Sequence, residues 1–190
     1  MAYKNIDNII INTSCNLFME KGYSNVSVNE ICSACSITKP TLYYHFKSKE
    51  DILYEYFRSL INNSSDMITE LKISDINSDK HNGKALVTEA FNILFSVFTS
   101  KGYDMTQAFV SGCVCDISKA IYFPDDISDT ITEYISLGQN DGSILNVSSP
   151  KELYASLCHT FVGYIIFWCQ HNGLTDEKNT LTNALLPLFN

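Results

Sequence analysis

The stretch from Ser27 to Leu53 constrains the fold more than any other part of the chain, because it carries repeated helix-start signals. Ser27 and Glu30 have the spacing of a capping box, in which each side chain bonds to the other residue's backbone N–H. Thr38 followed by Pro40 marks a second helix start, since proline is tolerated in a first turn. Two short helices separated by a tight turn indicate a helix-turn-helix, whose second helix enters the DNA major groove.

The second helix combines an apolar anchor with a polar surface. Leu42 and Phe46 lie four residues apart and are predicted to face the core. No acidic residue lies between Thr38 and Lys49, and lysine, threonine and tyrosine side chains suit phosphate and base contacts. The alternative is a solvated polar helix that carries a few chance lysines. The side chains left for the DNA-facing surface are Thr38, Lys39, Thr41, Tyr43, Tyr44, His45, Lys47 and Lys49.

Residues 9–57 resemble the N-terminal domain of the TetR family of transcriptional regulators. The resemblance is carried by LFMEKGY at 17–23, VSVNEI at 26–31 and, above all, TKPTLYYHFKSKE at 38–50. It implies an all-α homodimer with an N-terminal three-helix DNA-binding domain at 1–50 and an effector-binding and dimerisation domain at 51–190. It also implies operator contacts by Ser27, Thr38, Lys39, Thr41, Tyr43, Tyr44, His45 and Lys49. Ser36 departs from the family pattern, which usually has glycine at this turn position, so a strained turn is expected.

The net charge of −8 by itself argues against a nucleic-acid partner, but this charge is unevenly distributed along the chain. Residues 1–58 hold six basic and six acidic side chains, so the remaining seven basic and fifteen acidic residues carry the whole excess. Only charges within about 8–10 Å act strongly on a bound phosphate, so an acidic body does not prevent DNA binding. Modest non-specific affinity is expected.

The N-terminal segment MAYKNIDNII lacks the apolar region of a signal peptide. The longest apolar run, Phe161 to Cys169, is too short to span a bilayer. We therefore expect a cytoplasmic protein without membrane association.

Seven cysteines, an odd number, indicate reduced thiols in the absence of a signal peptide. Cys32 and Cys35 have redox-motif spacing, but both lie on the first helix of the predicted helix-turn-helix, where a thiol packs as a small apolar group. The other cysteines lack a second pair at zinc-site spacing. We predict no metal and no cofactor, and a thiol- or metal-sensing regulator remains the alternative.

The rest of the chain is predicted to be helical. The first helix is expected over about 6–21, with Ile6, Ile9, Ile10, Thr13 and Leu17 facing inward. A fourth helix is expected to continue from Ser48 to Lys72, and a loop from Ser74 to Gly83. Helices are predicted over 84–100, within 104–121, from Pro124 to 138–142, and over 151–171. The last helix is expected over 176–189.

The resemblance assigns roles to two sets of apolar residues in this body. Aromatic side chains in the helices that enclose the family's ligand cavity are Phe91, Phe95, Phe98, Phe109, Tyr122 and Tyr134. Residues on the two helices that form the family's dimer interface are Leu157, Phe161, Tyr164, Trp168, Leu181 and Leu185. Ordinary core packing is the alternative for every one of them.

These patterns favour a ligand-responsive homodimeric regulator, most simply a repressor that a small organic effector releases from an inverted-repeat operator. Its partners would be double-stranded DNA, a neutral or cationic effector and a second copy of the chain. An enzyme using Cys158 and His159 is disfavoured, because adjacent helical residues point about 100° apart. A helical interaction protein without DNA binding is disfavoured by the polar pattern from Thr38 to Lys49. We therefore predict no enzymatic activity.

Overall fold

A computed structural model describes residues 2–74, 82–174 and 180–190, which contain helices and no strand. The ten α-helices are α1 (Ala2–Lys21), α2 (Val28–Ala34), α3 (Lys39–His45), α4 (Lys49–Asn63), α5 (Ser65–Ser74), α6 (Gly83–Thr99), α7 (Tyr103–Cys115), α8 (Asp125–Asp141), α9 (Pro150–Gln170) and α10 (Leu181–Leu185). Short 3₁₀ turns follow at Tyr23–Asn25, Ile117–Lys119 and Leu186–Phe189. The all-α prediction is confirmed. In the described ranges, none of the helices has the length and apolar character needed to cross a membrane.

The chain divides into two compact units by internal packing. Unit 1 comprises residues 1–60 and 98–120, and unit 2 comprises residues 61–97 and 121–190. The segment 98–120 thus packs with the N-terminal helices although it follows them by many residues. The predicted functional division at residue 50 stays a prediction.

The inward face of α1 differs from the predicted stripe. Ile10 is buried, as expected, and so are Ser14, Cys15 and Phe18. Ile9, in contrast, is 46% exposed. The buried residues Ile10, Ser14 and Phe18 recur every four positions and form one face of α1. Ser14 and Phe18 therefore take the inward positions that the prediction assigned to Thr13 and Leu17.

The prediction of one continuous fourth helix from Ser48 to Lys72 is wrong. The helix is interrupted at Ser64, which separates α4 from α5. The run Asn62-Asn63-Ser64-Ser65 consists of weak helix formers. The Ser64 hydroxyl donates to the Ile61 carbonyl at 2.7 Å, in competition with regular helical bonding. The helix resumes at Ser65, whose hydroxyl donates to the Asp126 carboxylate at 2.5 Å within unit 2.

Unit 2 is built around α8 and α9. Ser149 caps α9 in a capping box with Glu152, and Pro150 occupies the first turn. At the start of α6, a methyl group on Gly83 would lie 2.0 Å from the backbone nitrogen of Gly138 on α8. The backbones of α6 and α8 are therefore in direct contact at this point. The α6 start is capped from outside, because the Gly83 N–H donates to the Asp141 carboxylate at 2.8 Å.

The end of the chain is shorter in helix than expected. From residue 180 onward, the segment predicted as a helix over 176–189 forms a five-residue helix, α10, followed by a 3₁₀ turn that contains Pro187. Residues 175–179 lie outside the described residues, as does most of the predicted loop from Ser74 to Gly83. Phe189 is fully buried, and its carbonyl accepts from the Leu145 N–H at 2.7 Å.

Candidate nucleic-acid interface

Two capped helix starts build the helix-turn-helix within unit 1. The Ser27 side chain accepts from the Glu30 N–H, and the Glu30 carboxylate accepts from the Ser27 N–H at 2.9 Å. Thr38 caps α3 by accepting from the Thr41 N–H at 3.3 Å. Both predicted caps are confirmed, and together they fix where α2 and α3 begin.

The turn between the two helices is closed by backbone bonding and by an unusual conformation. The Ile37 N–H donates to the Cys32 carbonyl at 3.0 Å. Ser36 has a φ of 54°, in the left-handed region that favours glycine. The strain expected from the absent glycine is therefore present at this residue.

Leu42 and Phe46 are buried and anchor α3, as predicted. On α2, Ile31 and Cys32 are buried, whereas Ala34 is exposed. The anchored face leaves a continuous set of polar side chains on the outside of α3 and its flanks. Of the predicted DNA contacts, those exposed are Ser27, Thr38, Lys39, Tyr43, Tyr44 and Lys47, and Thr41 is partly exposed.

Two tyrosines dominate this exposed surface. Tyr43 is 50% exposed and Tyr44 is 74% exposed, far more than a packing role requires. Beside them, the hydroxyls of Thr38 and Thr41 lie 2.9 Å apart. The surface therefore offers hydroxyl donors, the two lysines Lys39 and Lys47, and aromatic edges, which suit phosphate oxygens and base edges.

His45 is held inside unit 1 rather than on this surface. Its side chain is 7% exposed, and Nδ1 lies 2.6 Å from Oδ1 of Asp7 on α1. Little of the ring remains for a DNA contact, so its structural place is the junction of α1 and α3.

Lys49 is also drawn inward. Its ammonium donates to the carbonyls of Tyr23 and Val26 at 2.8 and 3.1 Å, and it lies 4.1 Å from the Tyr23 ring centroid. These contacts tie the start of α4 to the segment before α2. A phosphate would have to compete with two carbonyls and an aromatic face for this ammonium.

The sequence did not reveal how the segment 98–120 supports the helix-turn-helix. The Tyr23 N–H donates to the Asp104 carboxylate at 2.7 Å across 81 residues of sequence. Lys119 forms an ion pair with Asp51 in the first turn of α4. These two pairs could not be predicted from the sequence, because the residues around each partner do not indicate which distant residue it will contact.

The six predicted ligand-cavity aromatics fall into separate groups. Phe98 and Phe109 belong to unit 1, where Phe109 stacks on Phe57 with ring centroids 4.5 Å apart. In unit 2, Phe91 packs against Phe161 at 5.5 Å, whereas Phe95 packs against Tyr164 at 5.3 Å. Tyr134 is fully buried, and its hydroxyl donates to the Ile68 carbonyl at 2.6 Å.

Tyr122, the sixth, is 64% exposed. The six side chains therefore divide between the two units, with Phe98 and Phe109 in unit 1 and the other four in unit 2.

The predicted dimer-interface side chains lie inside unit 2. Leu157, Phe161 and Leu185 are fully buried within a single chain. Tyr164, Trp168 and Leu181 are also buried. Within a single chain these six side chains therefore pack in the core of unit 2, which was the alternative, and their contact with a second copy stays a prediction.

Burial makes several thiols unreactive. It raises the pKa of Cys15 and Cys113 to about 12, and that of Cys158 and Cys169 to about 11. At neutral pH these four are thiols, and the thiolate is the reactive form. Among the residues that the structure describes, no three His, Cys, Asp or Glu side chains are grouped to hold a metal ion.

Comparison with known proteins agrees with this helix-turn-helix architecture. Residues 10–56 match the family model of bacterial regulatory proteins, tetR family. Over 64 residues the chain is 42% identical to YerO of Bacillus subtilis (strain 168), an uncharacterized HTH-type transcriptional regulator, covering 32% of this chain and 22% of YerO. Over 88 residues it is 28% identical to IcaR of Staphylococcus aureus (strain Newman), the negative regulator of the biofilm operon icaADBC, covering 46% of this chain and 45% of IcaR.

The fold as a whole is similar to that of FadR from Thermus thermophilus, a TetR family transcriptional repressor solved with lauroyl-CoA. The TM-score is 0.71 at 16% identity, and the match covers 96% of this chain and 90% of FadR. The aligned segments span less than half the length of the two relatives matched by sequence. The family match thus covers residues 10–56, about a quarter of the chain, and over the remainder the likeness to FadR is one of fold alone.

Proposed function

We propose that this protein is a homodimeric transcriptional repressor of the cytoplasm that binds an inverted-repeat operator and leaves it when a small organic effector binds. The exposed polar face of α3, anchored from behind by Leu42 and Phe46, is the observation that carries the proposal. The division into a DNA-binding part at 1–50 and an effector-binding and dimerisation part at 51–190 belongs to it. IcaR, a negative regulator, and FadR, a repressor solved with lauroyl-CoA, support repression and a small-molecule effector.

DNA binding is tested by selecting sequences from random duplexes and measuring the affinity of variants. Lys39→Ala and Thr41→Ala should weaken binding and relax base preference, with a lost base contact worth about 1–3 kcal/mol. Lys47→Ala should weaken binding to all sequences alike and lower the slope of log affinity against log salt by about one. We assign this salt effect to Lys47 rather than Lys49, because the Lys49 ammonium bonds to Tyr23 and Val26.

Lys84→Ala is the control, since this partly exposed lysine lies on α6 in unit 2 and on neither α3 nor α9. It should leave both affinity and salt slope unchanged. Selection that returns no symmetric site, together with full affinity in the α3 variants, would contradict the proposal.

For dimerisation, we propose the outer face of α9 in place of the buried stripe. Its exposed or partly exposed side chains recur at helical spacing: Ala155, His159, Val162, Gly163, Ile166 and Phe167. This face is small and apolar at its centre. A β-carbon on Gly163 would meet nothing within 4 Å in the single chain, so a second copy could approach closely there.

Gly163→Glu tests this face without damaging the single chain. The added side chain has room in the monomer, but at an apolar interface it would bury an unpaired carboxylate. We expect monomers in sedimentation velocity, and loss of operator binding with them. Gly112→Glu on α7, where a β-carbon also meets nothing within 4 Å, is the control and should remain dimeric. A dimeric Gly163→Glu protein would refute this interface.

A further inference from the structure

A cleft of about 490 Å³ opens in unit 1 beside the end of α3. This volume lies within the range of roughly 300–1,000 Å³ that small-molecule sites occupy. Its walls come from α1, the end of α3, α4 and the segment 116–119, all of which belong to unit 1. None of the aromatic residues predicted to hold an effector lines it.

One part of the cleft is apolar. Ile11, Phe46 and Tyr54 contribute to its lining. Phe46 is buried, and Tyr54 is fixed from behind by stacking on Phe109 with ring centroids 6.1 Å apart. A fixed aromatic face attracts both apolar groups and organic cations.

Carboxylates outnumber cations on the remaining lining. Asp7, Asp51, Glu55 and Asp116 lie there with Lys47 and Lys119. Glu55 also pairs with Arg58, one turn further along α4, at 2.8 Å. His45, also in the lining, lies against Asp7.

Asp116 has the most exposed side chain of the four carboxylates and is therefore the most accessible to a ligand. Lys119 pairs with Asp51 and stands 4.0 Å from Asp116, whose side chain is 47% exposed. The Ser118 hydroxyl and N–H donate to its Oδ1 at 2.7 and 3.0 Å, which lowers its pKa. Asp116 is therefore ionised at neutral pH, and its other oxygen, Oδ2, lies 4.0 Å from the Lys119 ammonium, with Lys47 as a second nearby positive charge.

We propose that this cleft binds a small organic cation with an aromatic or apolar body, its charge beside Asp116 and Glu55 and its body against Tyr54 and Phe46. The cation would share carboxylates with Lys119, which joins the segment 116–119 to α4. Because the cleft is also lined by His45 and Phe46 at the end of α3, occupancy and the position of α3 are linked. Binding stands by itself, whereas the regulatory consequence rests on the proposed DNA-binding function.

The test uses benzyltrimethylammonium as the probe, with benzyl alcohol and phenylacetate as neutral and anionic controls. Each is titrated into the ¹⁵N-labelled full-length protein without DNA. We expect saturable shifts of backbone amides at 45–47, 54–55 and 116–119 with the cation, and much weaker effects with the controls. Equal binding of benzyl alcohol, shifts confined to unit 2, or no saturable shift would overturn the proposal.

Asp116→Asn and Glu55→Gln should each weaken cation binding by about 1.5- to 5-fold, the effect of one partly exposed charge. Two variants are used so that the misfolding of one variant does not decide the result. Asp125→Asn removes an exposed carboxylate of unit 2 that bonds to Tyr122, and it should bind the cation normally. Unchanged affinity in both cleft variants would refute the assignment.

Operator affinity is then measured with and without the cation. We expect the cation to lower the affinity of the unmodified protein and to act less on Asp116→Asn. A protein that binds the cation in this cleft but never binds DNA would contradict the proposed function and leave the site standing. Operator binding without cation binding would overturn the site alone.

Discussion

Ser36 holds the turn between α2 and α3 in a left-handed conformation with a φ of 54°. A side chain in this region costs about 1–2 kcal/mol, because its β-carbon crowds the following carbonyl. Asn172 has the same φ, but asparagine adopts this conformation more readily than serine. The two residues therefore form a natural pair for measuring the strain.

Ser36→Gly should stabilise the protein by about 0.5–1 kcal/mol. The relief of strain exceeds the extra entropy that glycine gives the unfolded chain, which is itself about 0.5–1 kcal/mol. Urea unfolding followed by circular dichroism measures the difference. Asn172→Gly should change the stability less, and a Ser36→Gly protein less stable than the unmodified chain would show that the turn is not strained.

At the scale of the element, the capping box at the start of α2 carries a charge. Glu30 accepts from the Ser27 N–H, and also from the Lys21 ammonium at 3.0 Å and the Ser27 hydroxyl at 3.0 Å. These bonds, the Ser27 backbone bond first, lower the pKa of Glu30 from 4.5 to about 2. Ionised Glu30 thus stabilises the helix start, since the folded state holds the carboxylate better than the unfolded state.

The sign of this linkage sets a pH dependence. The contribution of Glu30 is fully present above pH 4.5 and is lost as the pH falls towards 2. Glu30→Gln should therefore be less stable than the unmodified protein at neutral pH, and the difference should shrink in acid. Unfolding measured at several pH values checks this, with a substitution of the exposed Glu70, Glu70→Gln, as the control. A difference that stays constant down to pH 2 would contradict the role of the charge.

At the scale of the whole molecule, the helix-turn-helix belongs to a unit that includes residues 98–120. Phe57 of α4 is fully buried, stacked on Phe98 at 5.7 Å and on Phe109 at 4.5 Å. This aromatic group is part of the core beneath the DNA-binding helices. Its members lie on α4, α6 and α7, and α4 is distant in sequence from the other two, so the stability of α4 depends on α7.

Phe109→Ala should lower the free energy of unfolding by about 3–5 kcal/mol, as expected for an aromatic side chain removed from a core. It should also speed amide hydrogen exchange in α4, although Phe109 lies more than forty residues beyond that helix. Phe91→Ala, which removes an equally buried ring from unit 2, is the matched control and should leave exchange near Phe57 slow. Equal exchange in α4 of both variants would contradict this dependence.

Local signals made much of this protein predictable from its sequence. The caps at Ser27, Thr38 and Ser149 act within three residues of themselves, so the sequence alone determined where α2, α3 and α9 begin. Apolar spacing likewise identified Leu42 and Phe46 as anchors of α3. The composition of the exposed α3 surface follows directly from these positions.

Which of several chemically similar side chains faces the core, a partner or DNA was decided only by the tertiary structure. Whether Leu157 or Phe161 faces a partner or the core depends on what packs against α9, and apolar character is the same in both cases. Lys49 and His45 look like DNA contacts until Tyr23, Val26 and Asp7 are brought beside them. A capping signal is a property of neighbouring residues, whereas burial is decided by segments far apart in the chain, and those meet only in the folded protein.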